Sequence, residues 1–388
     1  MAFFRAASAE VEGSSDYRGL LAGLVVVRLL DKWRSRNRDP EARSREFEPV
    51  EQAVAALDDG PTREVLRHLI ASIAEFVDGW DDTRVTRLVD YAQLLERDAR
   101  WDAAADVYLT AIELASKRPG LLPEYYQRAN VCFRTMGQLD RAEDMLRDGL
   151  RVAAEIGDLF WSLQLRHSAG NLARHKGDLT EAGRIHEVVM AEADANGLTA
   201  VSAEARHARG HVAYEQKQFG LAADYFHAAM RLHADPELKL RALQDLAITI
   251  ADMGHLDVAR TALSAVRRSD RMDVELRNTA ALNLMQIATM ARDRAQFEAL
   301  RRELVDQRLT GRQLAWYHII VGGGALAFDD PSTARREFAE AIVEARANRE
   351  GVTLSEAERL LATPVAPASM PAILADIRTH IGDNPGLE

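Results

Sequence analysis

The chain has 388 residues, 47% of them hydrophobic and only 6% aromatic, a length that suits two or three ordinary domains or one long repeat array. Its net charge of −11 argues against a polyanion-binding surface, which needs clustered Lys and Arg, so no nucleic-acid partner is expected. The single cysteine, Cys132, excludes an intrachain disulfide and fits a reducing cytoplasm.

Residues 1–15 carry no periodic pattern and are expected to form a flexible N-terminus. Residues 16–80 read as an N-terminal helical bundle, with helices at Tyr17–Arg36, Ser44–Leu57 and Thr62–Phe76. The loops between them hold Asp39-Pro40 and Asp58-Asp59-Gly60-Pro61. The apolar run Leu20–Leu30 has 11 residues and contains Arg28, against the roughly 20 that a spanning helix needs. Its basic cluster follows the apolar core, the reverse of a signal peptide. It is therefore expected to be a buried helix of a soluble protein, without a membrane partner.

From residue 84 to 346 the chain repeats itself. WDAAADVYLTA, LDRAEDMLRDG, LTEAGRIHEVV, FGLAADYFHAA and LDVARTALSAV align, with an apolar residue, then alanine three positions on, then a large residue four further on. The alanine column holds Ala104, Ala142, Ala182, Ala222 and Ala259, continuing through Phe297 to Ala334 in PSTARREFAEA. Successive members lie 38, 40, 40, 37, 38 and 37 residues apart, the signature of a repeat array. A second helical segment precedes each alanine, with turn glycines at Gly137, Gly177 and Gly254 between the two, and Gly170 and Gly210 twelve residues before their alanines. Gly322-Gly323-Gly324 falls inside a predicted helix without the Lys-Ser or Lys-Thr of a phosphate loop, and is expected to mark close packing or a kink.

This pattern resembles the tetratricopeptide repeat (TPR) family over about two thirds of the chain, with a period longer than the family's usual 34 residues. The resemblance implies an all-α fold, an α-solenoid of about seven helix-turn-helix units with small residues at their crossings. Residues 347–388 follow as a linker (Thr363–Pro371), a short helix (Ala372–Ile381) expected to cap the final repeat, and a polar tail. A small bundle followed by about seven repeats of about 40 residues also resembles the RRNPP peptide-sensing regulators, particularly the Rap type. That resemblance implies a signalling peptide in the groove and a bundle that engages a partner protein. Rap-type phosphatases use a glutamine near the turn between the second and third bundle helices. Here the turn reads Asp58-Asp59-Gly60-Pro61, so phosphatase activity is not implied.

In the repeat register His167 and His207 share one column of the first helices, and Asn171 and His211 another. Arg174 and Tyr214 occupy the next inward column, joined by Arg134. In TPR proteins these columns line the concave groove, and some grip a C-terminal carboxylate through Lys and Asn, the latter at the position of Asn171. The donors suit a carboxylate or peptide backbone, so Arg134, His167, Asn171, Arg174, His207, His211 and Tyr214 are the candidate binding residues. The alternative is a groove lined with solvated polar side chains.

His207 and His211 have the i,i+4 spacing of a zinc-protease helix, but Ala208, Arg209 and Gly210 replace the residues that would include its catalytic glutamate. Glu204 or Glu215 would have to supply a third ligand, beside the positive charges of Arg206 and Arg209. No metal or other cofactor is therefore expected. No G-x-S-x-G occurs, and Cys132 lies among apolar helix positions without a base in view. The expectation is a cytoplasmic, non-catalytic scaffold or adaptor for a peptide or protein partner, with a Rap-type peptide-sensing regulator as alternative and a metal-dependent enzyme as a more distant one.

Overall fold

The computed structural model describes residues 14–34, 40–74, 82–269, 274–307, 309, 311–347 and 351–362, in which eighteen helices follow one another without a strand. The first three are α1 (Ser15–Arg34), α2 (Pro40–Ala55) and α3 (Pro61–Ala74). Seven helix pairs follow: α4 (Asp82–Arg97) with α5 (Trp101–Leu114), α6 (Leu122–Thr135) with α7 (Leu139–Ile156), α8 (Leu159–His175) with α9 (Leu179–Ala195), and α10 (Thr199–Glu215) with α11 (Phe219–Leu232). The last three are α12 (Pro236–Asp252) with α13 (Leu256–Arg267), α14 (Val274–Met290) with α15 (Arg294–Val305), and α16 (Gly311–Ala327) with α17 (Pro331–Ala347). A final helix, α18, covers Gly351–Ala362.

The alanine column explains the pairing. Ala104, Ala142, Ala182, Ala222, Ala259 and Ala334 are all fully buried, because a methyl group is the largest side chain that fits where two helix backbones approach closely. Four residues on, the second helices present Tyr108, Leu146, His186, Phe226, Leu263 and Phe338, all buried. Three of these sit on a glycine of the first helix. A methyl group built on Gly170 would lie 2.6 Å from His186, and one on Gly210 would lie 2.6 Å from Phe226. Gly322 receives Phe338 in the same way.

The sixth repeat solves its packing differently. Phe297 stands in the alanine column, and Gly324 of the following repeat gives its ring the room. Two members of the Gly322–Gly324 run thus seat one phenyl ring each, as the close-packing expectation requires. At Gly177 and Gly254 the chain turns between paired helices with φ of +85° and +93°, a region that glycine enters without steric penalty.

Helix α1 is the buried apolar helix expected from Leu20–Leu30: Val26, Val27 and Leu30 are inaccessible to solvent. It docks on the first repeat through polar contacts as well. Arg28 pairs with Asp31 and Asp106, and Thr110 Oγ1 donates to Asp31 Oδ1 at 3.0 Å. Helix α2 begins at Pro40, four residues before the expected Ser44, consistent with proline's preference for the first turn. At the other end, α18 lies over the last repeat through Ala357, Leu360 and Leu361. The expected capping helix Ala372–Ile381 lies outside the described residues, as does most of the expected flexible segment 1–15.

The first helices of several neighbouring repeats come into backbone contact, whereas the second helices stay further apart. The layer whose members lie closer is the inside of a curved array, so the first helices line its concave face. Between repeats four and five, α10 and α12 do not approach as closely. There α11 packs on α12, and α10 reaches α12 through side chains.

Candidate functional site

Four first helices, α6, α8, α10 and α12, carry the inner columns of repeats two to five. The structure brings together all seven candidates from the sequence and adds Asp245 and Asp252 on α12. One repeat step of 38 residues carries His207 to Asp245 and Tyr214 to Asp252, and both pairs are joined. His207 Nε2 donates to Asp245 Oδ2 at 2.6 Å, and Tyr214 Oη donates to Asp252 Oδ2 at 2.5 Å. His211 Nε2 lies 3.4 Å from the same Asp245 oxygen. The two imidazoles are 4.9 Å apart between ring centres, and Phe226 stands edge-on to them at 5.4 and 5.0 Å.

On α8, Asn171 Nδ2 donates to His167 Nε2 at 3.0 Å. The ring proton of His167 therefore falls on Nδ1, which is buried without a hydrogen-bond partner. His186, 5.2 Å from His167 between ring centres, has neither ring nitrogen partnered. Burial drives both imidazoles down, His167 to about 3, with the Arg134 and His186 with the His167 charge opposing a further proton. Both are neutral at physiological pH. Burial likewise lowers His211 to about 4. The Asp245 carboxyl is pushed up by burial, but His211 and His207 outweigh this and hold it below its usual range.

The arginines differ in their partners. Arg174 Nη1 donates to Glu215 Oε1 at 2.5 Å. Arg206 pairs with Asp194 at 2.7 Å and Arg209 with Glu187 at 3.0 Å, so neither leaves unbalanced positive charge beside His207 and His211. Glu215 is committed to Arg174, and Glu204 is half-buried and hydrogen-bonded to Gln164. The two glutamates proposed from the sequence as a third metal ligand thus have other partners, and the carboxylate at the histidines is Asp245. Arg134 has no acidic partner among the described residues and its Nε is buried without a hydrogen bond. Burial lowers its guanidinium to about 10, with Arg174 adding like-charge repulsion. The groove is consequently polar along its length, with unpaired positive charge at repeat two and carboxylates at repeat five.

Asp245 and Asp252 lie 38 residues beyond His207 and Tyr214, one more than the 37 that separate Ala222 from Ala259, so the alanine register alone points to their neighbours Gln244 and Ala251 and misses them by one position. Cys132 is buried, and burial together with Glu96 raises its thiol well above the ordinary value, the opposite of an activated nucleophile.

No protein-family model matches the chain, and no curated protein matches it in sequence. Solved structures match in fold. The Rap conjugation gene regulator of the plasmid pLS20, in complex with the Phr* peptide, superposes with a TM-score of 0.55 and 13% identity over 84% of this chain and 97% of that one. NprR in complex with its cognate peptide NprX gives 0.53 and 15% over 85% and 87%, and the apo form of RapI 0.52 and 13% over 84% and 99%. The chain has the TPR-like, Rap-type architecture. At these identities the likeness is one of fold, spanning bundle and repeats together. Among the described residues no helix is long and apolar enough to cross a membrane.

Proposed function

We propose that the protein is a non-catalytic receptor for a peptide or protein segment, held in the inner groove of repeats two to five, and that it works in the cytoplasm as a scaffold or adaptor. Arg134 carries this reading. A half-buried guanidinium whose Nε is shut off from solvent and which lacks an anion is costly to keep, and its neighbour Arg174 increases that cost. A carboxylate of a ligand, set between Arg134 and Arg174, satisfies both with charge-assisted hydrogen bonds. Asn171, His167 and Tyr214 then flank the chain that follows, and Asp245 and Asp252 favour a donor or cation at its far end. The buried, proton-retaining Cys132 supports a role without chemistry.

The test uses a synthetic library of short peptides with free carboxyl termini, beside the same library amidated. Arg134→Met should leave the melting temperature unchanged or raised, because it removes an unpaired buried charge, yet weaken peptide capture by about 10- to 100-fold, the worth of a charge-assisted pair. Undiminished capture by the variant, or equal capture of amidated peptides by the wild type, would remove the reading.

A second reading is favoured by the joint between bundle and array. Beside the apolar cluster that the bundle shares with the first repeats, Arg28–Asp106 and Thr110–Asp31 tie α1 to α5, polar pairs that a shift of the bundle would exchange. Two of the similar structures hold peptides. On this reading the protein is a peptide-sensing regulator whose bundle shifts against its repeats to control a partner protein. Solution scattering should then change when a captured peptide saturates the groove, and superimposable curves would reject it.

A further inference from the structure

We propose that His207, His211 and Asp245 form a site for one divalent transition-metal ion of the zinc, cobalt or nickel type, which fastens repeat four to repeat five at the floor of the groove. The i,i+4 spacing puts both imidazoles on one face of α10. Both Nε2 atoms converge on one oxygen of Asp245 at 2.6 and 3.4 Å, and the three donor atoms all lie within 4.8 Å of one another. Ligands about 2.0–2.1 Å from a tetrahedral ion stand about 3.3 Å apart; His211 and Asp245 already have that spacing, and His207 has to draw back from its hydrogen bond by about 0.7 Å as its ring proton is displaced. His207 makes a hydrogen bond to this oxygen, whereas His211 brings its Nε2 to the same atom without one.

The surroundings agree. Two imidazoles with one carboxylate form a donor set for borderline divalent ions, with one position left to water. Arg206, Arg209 and Arg174, whose charge would repel an ion, are held by Asp194, Glu187 and Glu215. The Phe226 ring, seated on Gly210, fixes both imidazoles from one side. The site also bridges α10 and α12, two first helices that are joined by side chains instead of close backbone packing. An ion there replaces one hydrogen bond by three coordinate bonds, two from α10 and one from α12.

Purified full-length protein, stripped with a chelator, should be titrated with Co²⁺ and followed by visible absorption and calorimetry, with no peptide present. The expected result is one saturable equivalent with the absorption of a low-coordinate cobalt centre. Affinity should fall by at least about 100-fold in Asp245→Asn and in His207→Ala, a loss no smaller than that of an outer-shell partner, while Glu204→Gln binds as the wild type does. Zn²⁺ should raise the melting temperature of the wild type and leave that of Asp245→Asn unchanged. Asp245→Asn keeps the shape of the side chain and a hydrogen-bond acceptor for His207, so circular dichroism should show it folded. Absence of saturable uptake, equal uptake by wild type and Asp245→Asn, or loss of uptake in Glu204→Gln would overturn the proposal. None of these outcomes bears on peptide capture, which is measured on the metal-free protein.

Discussion

From Leu20 to Leu172 the buried apolar side chains form one continuous cluster, and from Ala247 to Val321 they form a second. Beyond Leu165 and Leu172, which belong to the first cluster, the clusters of repeats three and four are small, a group of five around Val189 and a group of three around Phe226. The middle is instead tied by polar pairs: Arg166–Glu192, Arg174–Glu215, Arg206–Asp194, His207–Asp245 and Tyr214–Asp252. Apolar contacts are indifferent to small shifts, whereas polar contacts hold only in one register. The flanks thus supply cohesion, and the middle supplies geometry at the expense of cohesion. In a solenoid, where each repeat touches only its neighbours, the weakest junction limits how cooperatively the whole array melts. A ligand bound at that junction has the most order to add.

The harshest way to break this contrast is Phe226→Ala. Phe226 is the one large side chain of its group, and it also supports His207 and His211. Its removal should cost about 3–5 kcal/mol and split the urea transition in two, because the flanking clusters no longer unfold together. A single transition with an unchanged slope would show that the polar pairs couple the two ends without it.

Much of this architecture was legible in the sequence. A column of small residues at a near-constant period states where backbones must meet, and Ala104 to Ala334 all lie there. The Gly322–Gly324 run and Phe297, which break the pattern singly, explain one another only in space, since the ring from repeat six enters a gap in repeat seven. The site was legible in part for the same reason. His207 and His211 stand out by their spacing along one helix, and the carboxylates near them in sequence are Glu204 and Glu215 of that same helix. The partner is one repeat away, and which acid wins is decided by pairings such as Arg174–Glu215 that a linear reading does not reveal. The unpaired state of Arg134 is likewise a property of the space around it. Helix ends were readable where a proline or an acid marks them, as at Asp235-Pro236, where Asp235 Oδ1 accepts from the backbone N–H groups of Glu237 and Leu238 at 2.7 and 3.1 Å.

A gentler change sharpens the contrast by making the middle resemble the flanks. His186 occupies the column that Phe226 and Phe338 fill in later repeats, and it rests on Gly170 as they rest on Gly210 and Gly322. Its two buried ring nitrogens have no partners. His186→Phe should therefore fit the existing space and stabilise the protein at neutral pH by about 1–3 kcal/mol, the usual penalty of an unsatisfied buried polar group. The sign of the pH effect follows from the lowered imidazole values. Below its ordinary value of about 6.5 each imidazole takes up a proton in the unfolded chain but not in the folded one. Its contribution is thus complete above that pH and is lost as the pH falls toward the folded-state values, about 3 for His167. Replacing His186 removes one of these proton sinks from the unfolded state, so the loss of stability between pH 7.5 and pH 5 in urea titrations should be smaller in the variant than in the wild type. A variant that is less stable at pH 7.5, or equally acid-sensitive, would mean that His186 makes a favourable contact in the groove. The middle of the array would then owe its polar character to stability as well as to binding.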